Sequence, residues 1–460
     1  MEKRVTFQDD RIAALATPLG ESALAVVRTT GPGCIEALAS LTDRPKSISQ
    51  AQGNTLVYGH LIDPSTKTPL DQVIFSIFRS PKSYTGEDSV EISCHGSIPG
   101  IQRILEVLYA NGFRPAQGGE FTLRAFMNGK LDLTRAEAVH EIIVAKTKTA
   151  QTMALHRLSG SVEHRINQLK QYLVQVMAAV SIQLDYPEDE IGEVSIDLDK
   201  LDQIREGLNQ LVQSYATGRL YQQGAVVVLA GRTNAGKSSL FNLFLKEDRA
   251  IVSNVHGTTR DYLEAPLTLQ GIPLRFYDTA GLRLSDEAIE SEGIRRTGNV
   301  IQRADVLLYV TDGTLGLTQE DQEILASYQD KPLVRIWNKS DDPNFLAPPD
   351  GWLSMSAKEG RGVDQVTQAI LQILSPGTEG SQTMGSDLET VIIDSLRQKQ
   401  CLEQAIQSLD HMKEGLLSHM PMDAISLDLQ GALNALGEIT GEVTREDILD
   451  AMFSGFCVGK

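Results

Sequence analysis

The chain has 460 residues, 41% hydrophobic and 22% charged, the balance of a soluble globular protein long enough for about three domains. Sixty acidic against 42 basic residues give a net charge of −18, which makes a poor general binder of polyanions; any RNA must be held by a local patch or by a partner. No run approaches the ~18 apolar residues of a membrane span. The MEKRVTFQDDR start has no apolar secretory core, and the scattered Cys34, Cys94, Cys401 and Cys457 exclude a disulfide scaffold or a CxxC zinc module and fit a reducing cytoplasm.

Up to about residue 130 the chain alternates short β-rich runs with Gly and Pro. SALAVVR (22–28), DQVIFSIF (71–78) and SVEISC (89–94) predict strands, and IQRILEVLYANG (101–112) predicts a helix closed by Gly112. That is a small α+β domain. From 131 to about 220 apolar residues fall at helical spacing, first at Leu155, Leu158, Val162, Ile166 and Leu169, then at Leu173, Val176, Ala179 and Val180. DYPEDEIGEVSIDLD (185–199) reads as a solvated acidic connection. From 224 to about 377 near-continuous apolar runs predict strands of a parallel sheet covered on both faces: AVVVLA (225–230), LRFYD (274–278), ADVLLYVTD (304–312), PLVRIWN (332–338) and WLSMS (352–356). SPGTEGSQTMGSD (375–387) marks a boundary. Helical spacing then returns at Leu388, Ile392, Leu396, Leu402, Ile406 and Leu409. Two helical segments flanking an α/β unit allow one helical domain with the α/β domain inserted.

The chemistry concentrates in the α/β segment. Residues 231–238, GRTNAGKS, fit GxxxxGKS between a hydrophobic strand and a helix. Backbone amides of such a loop, including Asn234, Ala235 and Gly236, wrap phosphates. Lys237 reaches the β/γ oxygens, and Ser238, with Ser239 behind it, lies at the Mg²⁺ position. Asp278-Thr279-Ala280-Gly281 closes the next strong strand, where an Asp can hold Mg²⁺ through water and a Gly amide can meet a γ-phosphate. Asn338-Lys339-Ser340-Asp341 closes a later strand; its Asp can accept N1–H and the 2-amino group of guanine, donors that adenine lacks. Ser356-Ala357-Lys358 follows and can back the base through a main-chain N–H. In this order these runs resemble the signature elements of the Ras-like GTPase superfamily. Ser253-Asn254-Val255-His256-Gly257-Thr258-Thr259 lies where a switch loop belongs, with Thr259 the candidate Mg²⁺ ligand. Leu282 stands where Ras-like enzymes carry a water-orienting Gln, so another group must position water and charge.

GRTNAGKSS, GTTRD, DTAGLR and the terminal FCVGK, with SYTGEDSVEISCHG (83–96) and GGEFTLRAFMNGKLDL (118–133), resemble the MnmE (TrmE) family of tRNA-uridine-modifying GTPases over nearly the whole chain. The resemblance implies a multidomain protein: an N-terminal α+β folate-binding and dimerisation domain (1–130), an all-α helical domain from two chain segments (131–222 and 381–460), and an inserted α/β Ras-like G domain (223–380). It implies a K⁺-dependent, dimerisation-activated GTPase, with Asn234, Ser253, Val255 and Thr258 as K⁺ ligands and Glu290 as the catalytic carboxylate. Ser253 and Val255 replace the usual Thr and Ile, and Thr233 replaces a common Pro. The folate site it implies comprises Arg28, Glu91, Lys130 and Lys460, with Cys457 as a catalytic candidate. The implied reaction adds an aminomethyl or carboxymethylaminomethyl group to C5 of the wobble uridine (U34) of certain tRNAs. It uses a reduced folate of 5-formyl- or 5,10-methylene-tetrahydrofolate type, GTP, Mg²⁺ and K⁺, a homodimer, the MnmG (GidA) flavoprotein as partner, the cytoplasm and no membrane. Two rival readings stand beside it: a ribosome-assembly GTPase acting as an RNA-binding switch, which usually carries a basic or KH-like module that these acidic flanks lack, and a folate enzyme with a regulatory G domain.

Overall fold

The computed structural model describes residues 10–185, 196–247, 264–278, 300–375, 391–444 and 446–459. The chain divides into two compact units. One comprises Met1–Ile143, Arg157–Arg205 and Cys401–Lys460; the other comprises Val144–His156 and Glu206–Gln400.

The first unit is built on a six-stranded sheet of order β3-β4-β5-β2-β1-β6. Its strands are β1 (Arg11–Leu15), β2 (Ser22–Thr30), β3 (Thr55–Ile62), β4 (Pro69–Phe78), β5 (Ser89–Gly96) and β6 (Phe113–Pro115). All neighbours are antiparallel except β1 and β6, which run parallel. Strand alternation sends Val73, Phe75, Ile77, Val90, Ile92, Ala25 and Val27 to one buried face. The helix Ile98–Ala110 covers that face with Ile101, Ile104, Val107 and Leu108. It starts three residues earlier than its apolar spacing suggested, because Ser97 Oγ accepts the Gly100 amide at 3.5 Å and Pro99 occupies the first turn.

The helical part of this unit pairs Ser161–Asp185 with Met422–Thr440. Val162, Ile166, Leu169, Leu173, Val176 and Val180 form the buried stripe of the first of these helices. Leu155 fits the same arithmetic but is 50% exposed. Within the acidic connection, Asp197 Oδ1 accepts the amides of Asp199 and Lys200 at 3.1 and 3.2 Å and starts the helix Leu198–Gln223; residues 186–195 lie outside the described residues. The later helix spans Leu396–Leu417, and 391–395 are not helical, so the spacing counted from Ile392 began too early. Leu388 lies outside the described residues.

The second unit carries a sheet of order β12-β11-β10-β7-β9-β8. Its strands are β7 (Ala225–Ala230), β8 (Glu264–Leu269), β9 (Ile272–Asp278), β10 (Val306–Asp312), β11 (Leu333–Asn338) and β12 (Leu353–Ser354). The five expected strands are parallel, and the additional β8 pairs antiparallel to β9 at the edge. Leu240, Phe241 and Phe244 with Val363, Val366 and Ile370 pack one face; Ile301 and partly buried Ile324 and Leu325 pack the other. β7 lies centrally between β10 and β9, so the loop after it opens where the chain crosses to either side. Ligands bind open α/β sheets at such a switch point.

Candidate functional site

The loop after β7 has the backbone that phosphate wrapping requires. Gly231 has φ +133°, and a Cβ there would lie 2.1 Å from the Val310 carbonyl oxygen. Gly236 has φ +100°, and a Cβ would lie 2.0 Å from Asn338 Nδ2. No side chain fits either position. Lys237, 5% exposed, donates to the carbonyls of Gly231 and Arg232 at 2.8 and 2.7 Å, folding the loop around its own ammonium. Asn234 follows in the left-handed region at φ +61°, and Ala235 is buried. Ser238 and Ser239 lie exposed in the first turn of the helix Lys237–Glu247.

Strand ends bring the other elements to this loop. Ser238 Oγ donates to Asp278 Oδ2 at 2.9 Å, joining the end of β9 to the loop. A hydroxyl and a carboxylate so placed form the hard oxygen set that suits Mg²⁺. Asn338, 2% exposed, donates through Nδ2 to the Ala235 carbonyl at 2.8 Å and accepts the Ala357 amide at 2.9 Å. It thus ties three loops together. The Ala357 amide is therefore engaged by Asn338 in this structure. Ser356 Oγ donates to Asp341 Oδ1 at 2.6 Å, and that bond holds the Asp341 carboxyl below its ordinary range. Lys358, 82% exposed, approaches Asp341 Oδ2 at 3.7 Å. Lys339 sits at φ +72° and donates to Asp312 Oδ2 at 2.5 Å. Ser253, Asn254, Val255, His256, Gly257, Thr258, Thr259, Thr279, Ala280, Gly281, Leu282 and Glu290 lie outside the described residues.

A second cluster forms in the first unit around Arg28. Register places Arg28 opposite Glu91 across β2 and β5, and Arg28 Nε donates to Glu91 Oε1 at 2.8 Å. The guanidinium lies 5.5 Å from the Tyr84 ring centre and 5.7 Å from that of Phe121, within cation–π reach. Its NH1 donates to the Gly459 carbonyl at 2.9 Å, so residues 431 apart in sequence meet. The C-terminal run is guided there. Phe456 packs with Leu123, Leu133 and Phe453; the Cys457 carbonyl accepts the Gly119 amide at 3.3 Å; Val458 bridges Gly118. Cys457 is exposed and unbridged. Lys130 Nζ donates to the Pro81 carbonyl at 3.0 Å, on the same β4–β5 loop that carries Tyr84. Arg28, Glu91 and the tail backbone are thus brought together; Lys130 reaches the same loop. Lys460 lies outside the described residues. Arg and carboxylate facing an aromatic wall form a donor and acceptor set that fits a ligand with its own carboxylate and paired N–H donors.

Cys94 is buried and His95 exposed. Burial pushes the Cys94 thiol up to about 11, and exposed His95 pairs through Nδ1 with Asp71 at 2.7 Å. Among the described residues no group of three or more His, Cys, Asp or Glu could hold a metal ion, and no helix is long and apolar enough to cross a membrane. Sequence reasoning missed Tyr84, Phe121 and Asp312. The first two sit inside quoted family runs, and the third ends an apolar strand, the place where such sheets carry their functional side chains.

Residues 133–457 match the model of the MnmE helical domain, and residues 11–130 match that of the GTP-binding protein TrmE N-terminus. The tRNA modification GTPase MnmE of Treponema denticola is 42% identical over 471 residues, covering 98% of each chain. That of Carboxydothermus hydrogenoformans is 40% identical over 467 residues, covering 99% of this chain and 100% of its own. Among solved structures, Era of Aquifex aeolicus bound to GDP and aluminium fluoride covers 40% of this chain and 66% of its own, at 22% identity and a TM-score of 0.27. With two domain models that span most of the chain and relatives matched end to end, this chain belongs to the MnmE family of tRNA modification GTPases.

Proposed function

We propose that this GTPase is the K⁺-activated component that adds an aminomethyl or carboxymethylaminomethyl group to C5 of the wobble uridine of certain tRNAs, drawing one carbon from a reduced folate. The convergence of Arg28, Glu91 and the Gly459 carbonyl carries the reading, because it sets a guanidinium and a carboxylate side by side against Tyr84 and Phe121, where a ligand with a carboxylate and paired N–H donors would find both partners. Arg28 would take the carboxylate tail of the folate, Glu91 its paired N–H donors, and Lys130 and Lys460 further negative charge; Cys457 would stand beside the transferred unit. Bound folate supplies the one-carbon unit. The protein orients it and excludes water, and a ligand must compete with the Arg28–Glu91 pair already present.

GTP and Mg²⁺ follow from membership of a GTPase family. Lys237 and the loop amides would bind phosphate, Ser238, Asp278 and Thr259 would serve Mg²⁺, and Asn338, Asp341 and Ser356-Ala357-Lys358 would hold guanine. Asn234, Ser253, Val255 and Thr258 would hold a K⁺ ion, which would supply positive charge where no arginine finger is visible in the sequence. Glu290 would orient water in place of Leu282. The functional domains are 1–130, 131–222 with 381–460, and 223–380, acting as a homodimer with the flavoprotein MnmG in the cytoplasm. An outer sheet face supports the homodimer. Tyr58 and Ile74 are register partners there, and with Leu56 and Leu24 they are 54%, 43%, 71% and 66% exposed. So much apolar surface on one face is typical of an interface. Deleting 456–460 tests the folate reading. The truncated chain should retain GTP turnover and lose measurable affinity for 5-formyltetrahydrofolate by calorimetry; unchanged affinity would remove the tail from the site.

A further inference from the structure

We propose that Asp312 is a positioning residue of the GTPase site: it holds the Lys339 ammonium away from the Asp341 carboxylate, keeping that carboxylate open to guanine. The proposal rests on the reading of Asp341 as the base acceptor. Asp312 and Asn338 are register partners at the ends of β10 and β11, so the Asp312 side chain borders the loop Asn338–Asp341. Its two oxygens have different tasks. Oδ1 accepts the Thr314 amide at 3.0 Å and the Thr314 hydroxyl at 2.7 Å; Oδ2 accepts Lys339 Nζ at 2.5 Å. Thr314 thereby orients the carboxylate toward the lysine.

The loop holds one close ammonium and two carboxylates that could claim it. Asp341 lies two residues from Lys339; among the described residues its ion-pair partner is Lys358, 82% exposed and at 3.7 Å, where water competes strongly, and Arg361 acts on it from farther away. Guanine offers N1–H and an amino group, and an ammonium on a carboxylate that already accepts the Ser356 hydroxyl would compete with both. The two carboxylates are equally shielded, 13% and 14% exposed, so orientation decides: Thr314 holds Asp312 Oδ1 through two bonds and turns Oδ2 to the ammonium, whereas Asp341 is held through Oδ1 by Ser356 alone. The backbone fixes the arrangement. Lys339 keeps its left-handed conformation at φ +72° between two anchors: the Gly313 amide on the Asn338 carbonyl at 2.9 Å, and the Ser340 amide on the Met355 carbonyl at 3.0 Å.

Steady-state hydrolysis of GTP and ITP by the full chain tests this, since inosine lacks the 2-amino group. Asp312→Asn is isosteric and keeps an oxygen for Thr314, but turns donors toward the ammonium. It should cut the GTP-over-ITP preference in kcat/KM at least fivefold, mainly through KM for GTP. Asp312→Glu should retain the preference within twofold. Lys339→Met should shift GTP and ITP constants together, leaving their ratio within twofold, and adding Asp312→Asn to it should change that ratio no further. An unchanged ratio in Asp312→Asn, or an equal loss in the Lys339→Met background, overturns the proposal. Should Asp312→Asn fail to fold, Lys339→Met still decides: a fivefold loss of preference there would make the ammonium part of base recognition and refute the account. A wild type with no GTP-over-ITP preference removes the Asp341 reading itself, and this proposal with it.

Discussion

Replacing Arg28 by alanine probes the folate reading where its geometry is most specific. The guanidinium is 15% exposed, pairs with Glu91 at 2.8 Å, donates to the Gly459 carbonyl at 2.9 Å and lies against Tyr84 and Phe121. A charge-assisted contact of this kind to a ligand carboxylate is worth ~1.5–3 kcal/mol. Its loss should weaken binding of 5-formyltetrahydrofolate roughly 10- to 150-fold. Part of the effect is indirect, because the same change leaves the Gly459 carbonyl without this donor and Glu91 without its partner. Arg28→Lys separates the two: it keeps charge, loses the fork, and should fall between wild type and alanine. Isothermal calorimetry gives the affinity, and GTP turnover in K⁺ is the internal control. The phosphate loop draws no residue from β2, so turnover should stay within twofold. Unchanged folate affinity in Arg28→Ala would reduce the residue to a strand-to-tail clamp and refute the site.

Three further outcomes follow from the same geometry. Asp341→Asn exchanges an acceptor for an amide donor, so nucleotide preference should move from GTP to XTP in competitive hydrolysis; a mutant that still prefers GTP would displace Asp341 from the base pocket. GTP turnover should be faster in K⁺ than in Na⁺ at equal ionic strength by about tenfold or more, within the ~10³-fold scale of an arginine finger. Asn234→Ala should erase the difference, and equal wild-type rates would remove the ion. Burial alone would raise the Glu120 carboxyl, but Arg114, the Gln117 amide and Arg124 outweigh it and hold it below its ordinary 4.5. A lowered folded value means that Glu120 contributes stability above about pH 4.5 and loses it as pH falls through the folded value. Melting temperatures from pH 7 to 3 should therefore drop less steeply in Glu120→Gln; parallel curves would contradict the assignment.

What the sequence disclosed follows physical range. β7 ends where its apolar run ends, and the glycines after it were legible because only a strained, side-chain-free loop can lie under Val310 and Asn338. Asp278 and Asn338 were readable as polar residues that close apolar runs and open known motifs; Asp312 also closes an apolar run but opens no motif, and its part in the site was missed. WLSMS was overread, since apolar content is shared by strands and by loops packed on a core; Met355 is buried yet lies outside the two-residue β12. β3 went unseen because Gly59 interrupts a run whose outward residues, Leu56 and Tyr58, are themselves apolar, so the alternation that marks a half-buried strand is absent. The meeting of Arg28 with Gly459 could not be read from local pattern at all. It depends on Phe456 finding its place among Leu123, Leu133 and Phe453, a tertiary event with no local periodicity.

The central claim joins GTP hydrolysis to a chemical change on tRNA. Mass analysis of the wobble uridines in tRNA from a strain lacking this chain, and from the same strain complemented with wild type or with Arg28→Ala, tests it most directly. The account predicts C5-aminomethyl-type modification restored by wild type alone, with unmodified uridine persisting in the deletion and in the Arg28→Ala strain. Full modification in the deletion strain would contradict it.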